Sequence, residues 1–171
     1  MNKLDTAVKS SFAEMVAGRV VVLDATAARI WAAWAVKQFL SYQAAYPDDL
    51  SGHYDYQLFR STEEPLDGQQ VYLGIGTDLP WVHLHARRPA WTNAVGGEQI
   101  CALQLWTVVY GQLVVQVVAS HSPTPGIPMR TAATKLSALW PVADGGVRPG
   151  TNGLLGEKEV VELTKLKPLL T

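Results

Sequence analysis

The sequence predicts an α+β fold in which a curved antiparallel sheet of about five to six strands packs on a long helix in the N-terminal half, with a short C-terminal helix. Helical patterns occupy the first 46 residues, and strand patterns follow from residue 53. The longest run of strand-forming residues, 97–121, is divided by Gly111 into two apolar halves. A sheet wrapped on the helix, in a cone-shaped or helix-grip-like arrangement, buries both features.

Length and composition indicate one globular domain. The chain has 171 residues, of which 48% are hydrophobic and 17% are charged, enough for one core and too little for two ordinary domains. Residues 141–156 are rich in Gly and Pro and show no periodicity. We therefore predict a single α+β domain over 1–143, followed over 144–171 by a Gly/Pro-rich linker and a short C-terminal segment.

Charge and hydropathy argue against two classes of partner. The net charge of -1 provides no general attraction for phosphate backbones, so nucleic acid is not expected. No apolar run approaches the roughly 20 residues of a membrane helix, and the N-terminus lacks the basic start and apolar stretch of a signal peptide. The single cysteine, Cys101, cannot form an internal disulfide. These observations together predict a cytoplasmic protein without a membrane partner.

Two helices are predicted in the first 46 residues. Apolar positions over 4–17 recur at helical spacing, and Gly18 can end that helix. Residues 19–23 form a short β-branched run and are predicted as a short strand. Asp24 or Thr26 can cap a second helix over 25–46, which contains no Gly or Pro. That helix is apolar on several sides, so it either lies across a concave sheet or forms a dimer interface. A homodimer is predicted on this ground.

The stretch VVVLDATAARIWAAW, residues 20–34, resembles the beginning of helix-grip lipid-binding domains. In those domains a strand is followed by a turn of small residues and a helix that carries Trp. The resemblance covers only these residues, so the predicted fold depends mainly on the order of helices and strands.

The strand region contains three short strands and a hairpin. Strands are predicted over 53–60, 69–76 and 81–87, and residues 88–97 read as irregular. If the hairpin turns at Gly111-Gln112, paired residues have a constant sum, which pairs Trp106 with Val117 and Ala102 with His121. Both faces are then apolar, and any site is expected toward the His121 end. A helix over 128–140 and another over 157–167 complete the chain.

Three histidines are the candidate catalytic residues: His83, His85 and His121. Strand alternation places His83, His85 and Arg87 on one face, where the imidazoles can share a metal ion and Arg87 can hold an anion. His121 is followed by Ser122, a pair suited to nucleophilic chemistry. The simpler interpretation places His83, His85 and Arg87 on the solvent side of a strand whose apolar side faces the core. It makes His121-Ser122 a strand end before a proline loop. No resident metal or cofactor is predicted.

Aromatic residues exceed what a core of this size requires. Together with Arg87 they form the candidate ligand-binding set: Trp31, Trp34, Tyr54, Tyr56, Trp81, Arg87 and Trp106. We expect a non-enzymatic binding or protein-interaction module with an apolar, aromatic-lined pocket or dimer interface, whose partner is a small apolar molecule or a protein. The alternative is a small hydrolase or lyase that uses the histidines of the sheet pocket, with or without a metal ion.

Overall fold

The computed structural model describes residues 3–45, 56–93, 99–120, 135–141 and 146–165. Its elements, in chain order, are three helices, four long strands, a short strand and a final helix: α1 (Lys3–Val16), α2 (Ala25–Ala45), α3 (Tyr56–Thr62), β1 (Gln69–Ile75), β2 (His83–Asn93), β3 (Gln99–Tyr110), β4 (Leu113–Ser120), β5 (Ser137–Trp140) and α4 (Glu157–Leu163). None of the helices in these ranges combines the length and apolarity needed to cross a membrane.

All five strands form one antiparallel sheet in the order β2-β3-β4-β1-β5. Strands β2 and β5 are its edges, so the sheet does not close into a barrel. The predicted α+β class, with a long helix in the N-terminal half and a short C-terminal helix, is confirmed.

The central hairpin has the predicted register. Tyr110 pairs with Leu113 and Trp106 with Val117, and the sum stays constant out to the pair Leu103 and Ser120. Gly111 has φ +55°, as the tight turn requires. His121 and its predicted partnership with Ala102 lie outside the described residues.

Helices cover both faces of the sheet. Trp106, Val115 and Val117 share a buried cluster with α1 and α2, whereas Val109 and Val114 pack with Val160 and Leu163 of α4. We call these faces the α2 side and the α4 side. The side-chain carboxylate of Asp24 accepts the backbone N–H of Ala27 at 2.7 Å, which caps α2. Helix α1 packs along α2, so the apolar surface that suggested a dimer is covered within one chain.

Two strand predictions are wrong in the N-terminal half. Of the predicted strand over 53–60, residues 53–55 lie outside the described residues and 56–60 lie in α3. There Phe59 is buried, and the hydroxyl groups of Ser61 and Thr62 donate to the backbone carbonyl of Leu58. One buried aromatic anchor and local hydrogen bonds outweigh the short alternating pattern. Residues 19–23 form only a single bridge, between Leu23 and Val147.

Two further predictions are wrong downstream. Residues 88–93, predicted as irregular, continue β2, and Pro89 pairs with Gln104. An edge strand tolerates proline because one side of its backbone needs no ladder hydrogen bond. Residues 137–140, predicted as the end of a helix, form β5 beside β1. The rest of the predicted 128–140 helix lies mainly outside the described residues.

The segment before α4 is tied to the rest of the fold. Val147 exchanges backbone hydrogen bonds with Leu23, and Leu155 does so with Ile75 and Thr77. Leu155 is buried on the α4 side. Residues 146–156 thus pack against the sheet and the 19–23 segment, although their composition is that of a linker.

Candidate functional site

Three successive rows of paired residues on the α2 side of the sheet form the candidate site. The first row joins Gln69, Ala119 and Gln104 across β1, β4 and β3. It lies at the end of β4, next to Ser120 and farthest from the Gly111 turn.

The two rows behind it carry aromatic rings. The second row contains Trp106, which pairs with Val117 on β4 and, through its backbone, with Arg87 on β2. The third row includes Val108 paired with His85. Strand alternation explains why these residues share a face, since residues two apart on a strand point the same way.

The C-terminal half of α2 lies over these rows. The side-chain amide Nε2 of Gln43 donates to Oε1 of Gln104 at 2.5 Å, and both residues are buried. The Trp106 ring centroid lies 6.1 Å from that of Phe39 and 6.5 Å from that of Tyr42. The helix therefore places an amide over the first row and aromatic rings over the second.

Four buried side-chain nitrogen atoms on this face have no hydrogen-bond partner among the described residues: Gln69 Nε2, Gln104 Nε2, Trp106 Nε1 and His85 Nδ1. Gln69 is 2% exposed, and Gln104 and Trp106 are fully buried. Buried polar groups in folded proteins nearly always have a partner, and each exception calls for an explanation. Four in three adjacent rows indicate a polar site inside an otherwise apolar core.

The two histidines at the start of β2 lie together. Their ring centroids are 4.3 Å apart, and the His85 ring stacks on Tyr42 at 4.9 Å and meets Trp106 at 5.6 Å. His83 is exposed, with its ring centroid 4.9 Å from that of Tyr110. Burial, and to a lesser degree the neighbouring His83, lower the pKa of His85 below its ordinary value. Burial raises the pKa of the Tyr110 hydroxyl.

Within the described ranges, no further metal-binding side chain joins the histidine pair. Across the part of the chain that the structure describes, no three His, Cys, Asp or Glu side chains come together in a way that could hold a metal ion. A mononuclear zinc site usually takes three protein ligands. His121, the third candidate catalytic residue, lies outside the described residues.

The other candidate ligand-binding residues are divided among several places. Trp31 and Trp34 pack against Phe12 in a cluster between α1, α2 and the hairpin turn, and the indole N–H of Trp31 donates to the Ser11 hydroxyl at 2.9 Å. Trp81 packs on the α4 side. Tyr54 lies outside the described residues, and of Tyr56 and Arg87 only the backbone is described.

The residues that the sequence reasoning missed are glutamines. Gln43, Gln69 and Gln104 were not among the candidates, although Gln104 occupies the same strand parity as Trp106 and Val108. A polar amide at a position whose neighbours are assigned to a covered face is a usable signal. Gln69 and Gln43 carried no such signal, because only the tertiary structure places them beside Gln104.

An open groove of about 440 Å³ lies at the other end of α2. It carries charges of both signs, from Lys3 and Arg29 on one hand and Glu63 and Glu64 on the other, with Trp140 at its wall. Among the described residues that line it there is no member of the candidate set. Trp140 nevertheless pairs with Val71, which pairs with Val117 of the second row.

Comparisons with known proteins add no relative. Neither a scan against protein-family models nor searches of curated proteins and of solved structures found a match to this chain.

Proposed function

We propose that this protein is a non-enzymatic binding module that takes a small molecule between the C-terminal half of α2 and the three rows on the α2 side of the sheet. The observation that carries the proposal is the group of four buried nitrogen atoms, in Gln69, Gln104, Trp106 and His85, that have no hydrogen-bond partner in the described part of the chain. The surrounding rings of Tyr42 and Phe39 supply apolar walls. Binding sites commonly combine such walls with a few convergent polar groups.

The cost of these atoms supports a ligand role. A buried polar group left without a partner costs about 1–3 kcal/mol, so several together consume a large part of the roughly 5–15 kcal/mol that stabilises a typical domain. Hydrophobic residues of similar size would avoid that cost. Sequences break such local rules mainly at functional sites, where a bound partner restores the missing hydrogen bonds.

The apolar character of α2 no longer argues for a dimer, because α1 covers it. The homodimer and the protein partner remain predictions from the sequence. A small molecule agrees better with polar atoms that are buried within a single chain than a flat protein surface does.

The test is a thermal-shift screen of the purified full chain against a library of small metabolites. A ligand that binds only the folded state at about 100 times its Kd adds about 2.7 kcal/mol to the free energy of unfolding and raises Tm. We expect at least one such ligand, and we expect its shift to be lost in Trp106→Phe.

The control for this screen is Gln116→Met. Gln116 is also buried in the sheet, on the α4 side, where its amide nitrogen donates to Thr107 and Leu163. Its Oε1 is a further buried atom without a partner among the described residues, but it lies on the opposite face from the proposed site. Its replacement should lower Tm without removing the ligand-induced shift. A screen without any stabilising ligand, combined with a crystal structure showing only ordered water at the four nitrogens, would refute the proposal.

A further inference from the structure

The hydrogen-bonding character of the site limits the chemistry of its occupant. The indole Nε1 of Trp106 carries a hydrogen and can only donate. The atom is buried and has no acceptor among the described residues. Whatever group satisfies Trp106 must therefore be an acceptor.

The two amides of the first row also present donors. Oε1 of Gln69 accepts the backbone N–H of Leu66 at 2.8 Å, which fixes the orientation of the amide. Its NH₂ group then has no partner among the residues that the structure describes. Oε1 of Gln104 accepts a hydrogen bond from Nε2 of Gln43. The NH₂ group of Gln104 likewise has no partner among the described residues. In both amides the oxygen is bonded, and the nitrogen has no partner within the described ranges.

The placement of these donors brings them around one short side chain. Gln69 and Gln104 both pair with Ala119, one strand away on either side, so their Cα atoms are about 10 Å apart. Trp106 is two residues along β3 from Gln104. Ala119 contributes only a methyl group between them.

We infer that the ligand presents a planar oxygen acceptor, a carbonyl or a carboxylate, to the side-chain N–H groups of Gln69, Gln104 and Trp106. This inference depends on the proposed function and narrows it to a ligand class. A carbonyl or carboxylate oxygen has two lone pairs, so it can accept from two of these donors at once. A ligand without such an oxygen leaves the donors buried and unpaired, and sites built around hydrogen bonds discriminate strongly against analogues that lack the bonding group.

The experiment uses four probes that share a benzene ring: acetophenone, benzoate, toluene and benzylamine. Each is titrated into the ¹⁵N-labelled full chain, and the side-chain N–H signals of Gln69, Gln104 and Trp106 are followed by NMR. We expect acetophenone or benzoate to bind at least tenfold more tightly than toluene and benzylamine, and to move these three signals downfield. Tighter binding of acetophenone identifies a neutral carbonyl, and tighter binding of benzoate a carboxylate.

Variants separate the role of the donors from that of the core. Gln69→Met and Gln104→Met should each weaken binding of the acceptor probe by tenfold or more and leave toluene unaffected. Gln116→Met on the α4 side should change the binding of neither the acceptor probe nor toluene. If a methionine variant fails to fold by circular dichroism, the preference of the wild-type chain and the movement of its N–H signals decide the question.

Equal or tighter binding of toluene or benzylamine overturns the inference, as does the absence of binding by both acceptor probes at millimolar concentration. Neither result affects the proposed function, which fails only if the metabolite screen finds no stabilising ligand and a crystal structure shows only ordered water at the four nitrogens. The two failures are therefore distinguishable.

Discussion

The hydrogen bond between Gln43 and Gln104 predicts an unusual pattern of stability in a double-mutant cycle. In Gln43→Met, the fully buried Gln104 loses its one hydrogen bond among the described residues, so both of its amide atoms are left without partners. We expect the free energy of unfolding of this variant to fall by about 1–3 kcal/mol, because Oε1 of Gln104 becomes a second buried atom without a partner, beside its Nε2.

The second substitution should reverse the loss. Adding Gln104→Met to the Gln43→Met chain removes two buried, unpartnered atoms, so the free energy of unfolding should rise by at least about 2 kcal/mol. Gln104→Met alone removes one unpartnered nitrogen but leaves Gln43 Nε2 without its acceptor, so its effect should be small. The double variant should be as stable as the original chain or more so.

Urea denaturation of the four chains, followed by circular dichroism, measures the cycle. An unchanged m-value shows that unfolding exposes the same surface in each. Adding Gln116→Met to Gln43→Met provides the control, since residues without shared partners have additive effects. If Gln104→Met lowers the free energy of unfolding equally in the original chain and in the Gln43→Met chain, Gln43 and Gln104 are not buried hydrogen-bond partners. The argument for a costly polar site then fails as well.

Three further predictions concern the glycines Gly18 and Gly111, the imidazole of His85, and helix α4. Gly18→Ala should lower the free energy of unfolding by about 1–2 kcal/mol, because Gly18 has a positive φ of 81°. Gly111→Ala should lower it by about 1–3 kcal/mol more, because the added Cβ would lie 2.7 Å from the backbone oxygen of Val16. Equal losses for the two variants in urea denaturation would contradict this prediction. The lowered pKa of His85 means that the unfolded chain binds the proton more readily, so stability should fall as pH drops below 6.5. An NMR titration should show His85 titrating below that value, and a midpoint at or above it would contradict the partial burial of the ring. Gln116→Met removes the side-chain amide that donates to the backbone carbonyl of Leu163, the last residue of α4, at 3.2 Å. Amide hydrogen exchange in α4 should therefore accelerate about two- to tenfold, while exchange in α2 stays the same. Unchanged exchange in α4 would show that this hydrogen bond does not hold the helix in place.

Local pattern accounts for the parts of the fold that the sequence predicted well. Helix α2 has no Gly or Pro and abundant Ala, and the backbone hydrogen bonds of a helix join residues only four apart. The hairpin is also local, since Gly111 defines the turn and the turn defines the register. The assignment of Trp106 and Val109 to opposite covered faces follows directly from that register.

The tertiary structure alone decided which distant segments meet. Strand β1 lies between β4 and β5, and this places Gln69 in the same row as Gln104. No local periodicity encodes a pairing over such a separation, because it depends on how α1 and α2 cover one side of the sheet and α4 the other.

The structure of the short elements α3 and β5 was also decided by their tertiary surroundings. The residues of α3 and β5 have weak local preferences, so the packing of Phe59 and the open edge of β1 determined their structure. The sequence by itself determined a two-sided apolar hairpin under a long helix, and a site toward its His121 end stays a prediction. Only the folded chain showed that the buried amides of Gln69 and Gln104 lie in one row, because hydrogen-bond partners are chosen in space and not along the chain.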